Sequence, residues 1–362
     1  MIDGTFVFNA VSHACNLSDE NVSPDHYGND LRERLIAIHR DWQPGVGLDA
    51  EAQSTDWPVE VLARTLFLES GCDMAATHTL RLDSIFKDGL CRREKTLEAV
   101  RRWPQRFVGY VGLDPTLGLD ACLRELEEQL EEMRGAVGLK LYPAQVNPHR
   151  SWRMDDERLV FPIFDMAAKR GIRTVAIHKA VPYGPVPLAP FRVDDIDLAA
   201  DAFPDLSFEI THAGMAFTEE TSMMLARFPN VYANLEVTSA HVNWAPGLFE
   251  AALGQFMKWG GASKIIYADG AMLTHTRPII ESIRRFRFSQ RTLDALGIPQ
   301  ITDEDKALIL GGNYARILGI DVEAAKARFA DDEFSRELAR TGLQEPYSNW
   351  RRHLQSGARE AA

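Results

Sequence analysis

The chain has 362 residues, 45% hydrophobic and 25% charged, with a formal net charge of −12. That composition is globular, and the negative field excludes a nucleic-acid-binding surface or a polybasic membrane patch while allowing a local basic pocket. No run approaches the ~18 apolar residues of a membrane span.

The opening MIDGTFVFNAVSHA has no basic segment followed by a long apolar one, so no secretory leader is read there. Four scattered cysteines, Cys15, Cys72, Cys91 and Cys122, form no CxxC pair. Reduced thiols and a cytoplasmic location are the expectation.

In chain order, Ile2–Asn9 reads as the first strand, rich in β-forming residues. A polar loop, helical spacing over Asp30–Trp42 and a second loop over Gly45–Trp57 follow. This connection, about fifty residues long, has the length of a functional lid. Pro58–Ser70 reads as the first outer helix and Cys72–His78 as the second strand.

Arg92–Trp103 (helix), Phe107–Leu113 (strand), Leu119–Glu132 (helix), Ala136–Tyr142 (strand) and Asp156–Lys169 (helix) continue the alternation. Arg173–Ile177 and Leu206–Thr211 are short apolar runs, each followed by a histidine, His178 and His212, with a helical segment between them. Then come a helix over Thr218–Arg227, a strand over Val231–Val237, a helix over Pro246–Trp259, a strand over Lys264–Ala268 and a helix over Pro278–Phe286. Eight strands separated by helices are the pattern of an α/β fold of the (β/α)₈ TIM type, with a long loop after strand one. The barrel is assigned to residues 1–320. Residues 321–362 form a charged, helical C-terminal extension that packs on the barrel or on a partner subunit.

In such a barrel the carboxyl ends of the strands converge on one face, where the chemistry sits. The polar residues placed there are Thr5, Asn9, His13, His78, Lys140, Tyr142, His178, His212, Glu236 and Asp269. Two imidazoles and a carboxylate can hold a divalent metal and leave positions open for water. Asp269 is either a ligand or a general base beside that ion. Lys140 ends an apolar strand, as a clamp for a substrate carboxylate, a carbamylated metal bridge or a snorkelling side chain. Glu209, three before His212, alternates out of the barrel as a partner for an outer cation. His241 and His275 fall in loops beyond strand ends; His26, His39, His149 and His353 have no such placement.

The pieces GAVGLKLYP, VAIHKAVPYG, FPDLSFEITHAGMAF, FPNVYANLE, IIYADGAML and ILGGNYARILGI, in this order, resemble the amidohydrolase-related branch of the amidohydrolase superfamily, which includes aminocarboxymuconate semialdehyde decarboxylase. The resemblance runs from Ile2 to Ile320 and implies a metal-binding barrel. It puts the strand-five histidine on His178, the strand-six histidine on His212 and the strand-eight aspartate on Asp269. The family's strand-one Asp-x-His-x-His falls on Asp3, Thr5 and Val7, so both histidines are missing: either a ligand comes from elsewhere, with Asn9, His13, His78 or a carbamylated Lys140 as candidates, or the site holds metal weakly, or it holds none.

The resemblance implies a metal-dependent enzyme that hydrolyses or non-oxidatively decarboxylates a small carboxylated substrate, with zinc as the first expected ion and manganese or iron as alternatives. His178, His212 and Asp269 would bind the metal, with Asp269 and His212 catalytic. Lys140, Tyr142, Asn9 and Glu236 would hold the substrate. Two other readings stand beside it. One is a subunit of a heteromeric amidohydrolase-fold metal oxygenase, with a reduced site and a mainly structural role. The other is a metal-independent, lactonase-like hydrolase. A homo-oligomer, or a hetero-oligomer with a related barrel, is the expected assembly.

Overall fold

The β-branched and aromatic runs that end on Pro, Gly or a polar residue each become one parallel strand. The computed structural model describes residues 4–43 and 45–360. Its barrel strands are, in order, Phe8–Ser12, Met74–His78, Phe107–Leu113, Gly138–Leu141, Thr174–His178, Ser207–Thr211, Val231–Asn234 and Ile265–Ile266. Each pairs with its sequence neighbour, all parallel. The ring is closed by Ala10 N donating to Tyr267 O at 3.1 Å, Gly270 N to Val11 O at 3.2 Å and His13 N to Ala271 O at 2.6 Å. Among the described residues no helix is long and apolar enough to cross a membrane.

The first strand is displaced from its expected place. It starts at Phe8 rather than Ile2, and Ile2 and Asp3 lie outside the described residues. Val7 is fixed at the amino end of the barrel, where its N–H donates to Asp73 Oδ2 at 2.9 Å. The carboxyl end of strand one is therefore Asn9–His13, not Thr5–Asn9. The eighth strand is shorter than the expected Lys264–Ala268 because Tyr267 N donates instead to Ile309 O at 3.0 Å.

Inside the barrel, Phe8, Met74, Tyr110, Tyr232 and Ile266 pack with Tyr314 into an apolar floor. Gly138 makes room for it: a Cβ there would lie 2.2 Å from the Tyr110 ring. Glu209 belongs to this interior, contrary to the outward phase expected for it. It is fully buried and accepts from Tyr110 OH at 2.6 Å, Thr174 Oγ1 at 2.5 Å and Asn234 Nδ2 at 2.7 Å. Strict alternation fails between Glu209 and His212 because His212 has φ +65°, which returns its side chain to the barrel mouth.

Over the mouth lies the helix His26–Asp41, capped by the Asp25 side chain on Gly28 N. Leu31, Leu35 and Ile38 recur at helical spacing and turn inward. The helix is tied down by His39, which is fully buried. Leu48 N donates to His39 Nε2 at 2.8 Å, so the ring proton lies on Nδ1 and is donated to Leu273 O at 3.0 Å.

Beyond the barrel, helices Glu333–Thr341 and Ser348–Glu360 lie against the helix Val59–Arg64 and its continuation Thr65–Glu69. Trp350 stacks on Trp57 with centroids 4.2 Å apart. Arg106 grips Asp332 through two nitrogens, and Arg64 reaches Glu337 at 2.7 Å. The buried Glu69 accepts from His275 Nε2 at 3.0 Å, Tyr347 N at 2.6 Å and Asn349 Nδ2 at 2.6 Å.

Burial lowers the His39 pKa to about 4, against about 6.5 in an unfolded chain. The unfolded state therefore binds more protons between those values. His39 contributes stability that is complete above pH 6.5 and is lost as pH falls towards 4, at about 1.4 kcal/mol per pH unit. Urea titrations of wild type and His39→Asn between pH 7 and 5 should show a shallower pH slope in the variant; equal slopes would refute this account.

Candidate functional site

Strand ends and loops at the carboxyl face enclose a cavity of about 420 Å³, within the usual range for small-molecule sites. Its walls are apolar, built from Leu31, Leu35, Ile38 and Trp42 of the covering segment, Trp57 beside it, and Leu80, Leu82 and Leu90 after strand two. On the barrel side it meets His13, Tyr142, His178, His212 and Glu236.

His178 and His212 come together, as successive strand ends should place them. His212 Nε2 is 3.0 Å from His178 Nδ1. The outer nitrogens face carbonyls, His178 Nε2 to Val181 O at 2.9 Å and His212 Nδ1 to Glu236 O at 3.2 Å. Carbonyls only accept, so this chain has three hydrogen-bond positions, whereas two neutral imidazoles carry two protons. A third proton would satisfy all three, but burial opposes it. Burial, then the neighbouring His212 and Lys140, hold His178 well below its usual range. Burial and Lys140 lower His212 to about 4 against the pull of Glu236. The pair is thus neutral at pH 7 and built to take up and return a proton.

Glu236 is the anionic centre. Its Oε1 is 3.1 Å from His13 Nε2 and its Oε2 is 3.4 Å from Lys140 Nζ and 3.7 Å from His212 Nε2. Burial alone would raise its pKa; Lys140, His212 and His13 outweigh burial and keep it well below the ordinary carboxylate range. Ala180, His212 and Val237, each within two residues of His178, His212 or Glu236, have positive φ of 60°, 65° and 64°. For a β-branched residue such as Val237 that is a true outlier, and strain of this kind collects where a site must be held in one shape.

Several expected site residues stand elsewhere. Asp269 does not join the two histidines: its Oδ1 accepts from Asn9 Nδ2 at 2.6 Å and Ala271 N at 2.9 Å, and its Oδ2 from Tyr267 OH at 2.7 Å. Burial raises its pKa despite the donors Tyr267, Thr276 and Asn9. Asn9, Asp269, Lys140 and His78 lie beneath the cavity and do not line it. His78 Nε2 donates to Ala10 O at 2.9 Å and its ring stacks on Tyr110 at 3.9 Å. Tyr142 does line the cavity, stacked on His178 at 4.8 Å. His275, expected beyond a strand end, is buried as the cap of helix Thr276–Arg285 and bound to Glu69.

The corrected first strand changes the strand-one comparison. Counted from the corrected strand, an Asp-x-His-x-His spacing would fall at the barrel mouth on Asn9, Val11 and His13, of which the last is a histidine and Val11 is a buried valine. Sequence reasoning missed Arg34, the one Lys or Arg side chain lining the cavity among the described residues. It sits between Leu31 and Leu35 on the covering helix, and the apolar spacing there was the available signal.

The side chains do not fit a resident divalent ion. Among the described residues no group of three or more His, Cys, Asp or Glu side chains could hold a metal. Val11 cannot ligate, the Asp269 oxygens are taken by neutral donors, and an ammonium stands against Glu236.

A family model for the amidohydrolases matches residues 89–320, more than half of the chain. No curated protein matches the sequence. Among solved structures, an uncharacterized TIM-barrel protein of Bordetella bronchiseptica, Bb4693, has a TM-score of 0.62 at 17% identity, covering 86% of this chain and 98% of that one. The 4-oxalomesaconate hydratase LigJ of Rhodopseudomonas palustris has a TM-score of 0.54 at 17% identity, over 89% and 98%. A 5-carboxyvanillate decarboxylase of Novosphingobium aromaticivorans, solved with manganese and a substituted nitrobenzoic acid, has a TM-score of 0.53 at 13% identity, over 88% and 97%. The last of these shows that a barrel of this shape can carry a divalent ion. With the family model and the eight-stranded barrel in agreement, the chain belongs to the amidohydrolase family.

Proposed function

We propose that the protein hydrolyses or non-oxidatively decarboxylates a small carboxylated substrate with a substantial apolar body. The reading is carried by one observation: the His178–His212 pair and the His13–Glu236 pair face the same mostly apolar cavity. The amidohydrolase family match and decarboxylase and hydratase neighbours of the same fold support the class of reaction.

In a hydrolysis, a neutral imidazole facing the cavity takes a proton from water as it adds to the substrate carbonyl, then returns that proton to the leaving group. In a decarboxylation, the neutral imidazole takes the proton of the substrate's carboxylic acid and delivers it to the carbon that CO₂ leaves. The apolar walls suit the decarboxylation in particular, because they favour a neutral product over a buried carboxylate. No step is routed through a divalent ion, since the side chains do not gather three donors for one. Arg34 at the wall is the cation available for a second anionic group of the substrate.

Screening aromatic and unsaturated carboxylic acids and lactones should yield a substrate. On it, His212→Asn should lower kcat by about 10²-fold or more, the scale of general acid–base catalysis. A folded variant with full activity would refute the assignment. Arg34→Ala should instead raise KM about tenfold with kcat nearly unchanged, as loss of uniform binding does. A fall in kcat with KM unaltered would remove Arg34 from substrate binding.

A further inference from the structure

Lys140 closes the fourth strand with its side chain inside the barrel, 1% exposed. Its ammonium has one ion-pair partner among the described residues, Glu236 Oε2 at 3.4 Å. The Tyr142 ring is 5.7 Å away. From Glu236 the contacts continue to His13 Nε2 at 3.1 Å and His212 Nε2 at 3.7 Å, and from His212 to His178. Three imidazoles and a carboxylate are the donor types a first-row ion takes, but as they stand beside Lys140 no three of them form a group that could hold one. Here a fixed positive charge already stands against the carboxylate.

A divalent cation entering this set would have to displace or face that ammonium. Nor is Lys140 suited to a carbamate bridge: carbamylation would turn it into an anion 3.4 Å from Glu236 and leave two buried negative charges side by side. The remaining strand-end carboxylate, Asp269, cannot serve as an outside anchor, since Asn9, Tyr267 and Ala271 N occupy its oxygens.

We infer that Lys140 holds the place of a resident metal: its ammonium, paired with Glu236 beneath the three cavity-facing histidines, is the built-in cation of a metal-free centre. Lys140 does not line the cavity, so it acts as a positioning residue. It keeps Glu236 ionised and aimed at His13, and it denies the imidazoles to metal. The inference deepens the proposed function but is tested without turnover, so the two can fail separately.

The test is metal binding by the intact protein. Wild type purified from medium supplemented with zinc and manganese should carry far less than one equivalent of either after desalting, by elemental analysis. Isothermal titration with Zn²⁺ should detect no stoichiometric site. Lys140→Met, which keeps the unbranched stem and removes the charged end, should gain Zn²⁺ affinity by at least about tenfold, as a His and carboxylate set freed from the ammonium would. One tightly held equivalent in wild type overturns the inference, and so does a folded Lys140→Met protein that gains no affinity. If that variant fails to fold, the wild-type titration decides alone, and Lys140→Arg, retaining the charge, should remain metal-free.

Discussion

A buried carboxylate at the barrel mouth is the constraint on which the site depends. Glu236 is 5% exposed and would be costly to ionise there without Lys140. Separating such a pair costs about 3–5 kcal/mol, because the surviving charge is left uncompensated. With the pair intact, the charge is balanced inside the protein, and His178 and His212 beside it can remain neutral. That neutrality makes them bases rather than spent acids at physiological pH.

The pair is supported from below by a second polar layer. Asn234 donates to Glu209 Oε2 at 2.7 Å and accepts from the backbone N–H of Glu236 at 3.0 Å. It therefore connects the floor of the barrel to the mouth. Glu209 is fixed in turn by Tyr110 and Thr174, and Tyr110 also meets Tyr314 OH at 2.5 Å. Fully satisfied networks of this kind rigidify a core, and partly satisfied ones are expensive. The strained backbone at His212 and Val237 is held by this scaffold.

Much of this was legible from residue order. Phe107–Leu113, Leu119–Glu132, Thr218–Arg227 and Pro246–Trp259 have the boundaries their patterns indicate, since apolar periodicity and Pro or Gly stops acted together there. The convergence of His178 and His212 also followed from equivalent positions at adjacent strand ends. The misread places were those where local pattern is silent. Ile2–Asn9 is β-forming throughout, so nothing local fixes which part pairs, and the ladder with Met74 places the strand later. Glu209 was put on the wrong face because a positive φ at His212 breaks the period of two. The orientation of Asp269 depends on Asn9, which is 260 positions away, and no spacing rule reaches that far. Arg34 lay in a segment whose partner surface was unknown.

The Glu69 shell carries a consequence for how the chain reaches its folded state. The hydrogen bond from Asn349 Nδ2 to Glu69 Oε1 closes a span of 280 residues, and the same carboxylate is bonded by His275. Glu69 is fully buried, so until both distant segments arrive it is a carboxylate that must stay in water. The Thr65–Glu69 turn therefore cannot bury its carboxylate ahead of the last helices. Contacts of such separation slow folding and make it a property of the whole chain.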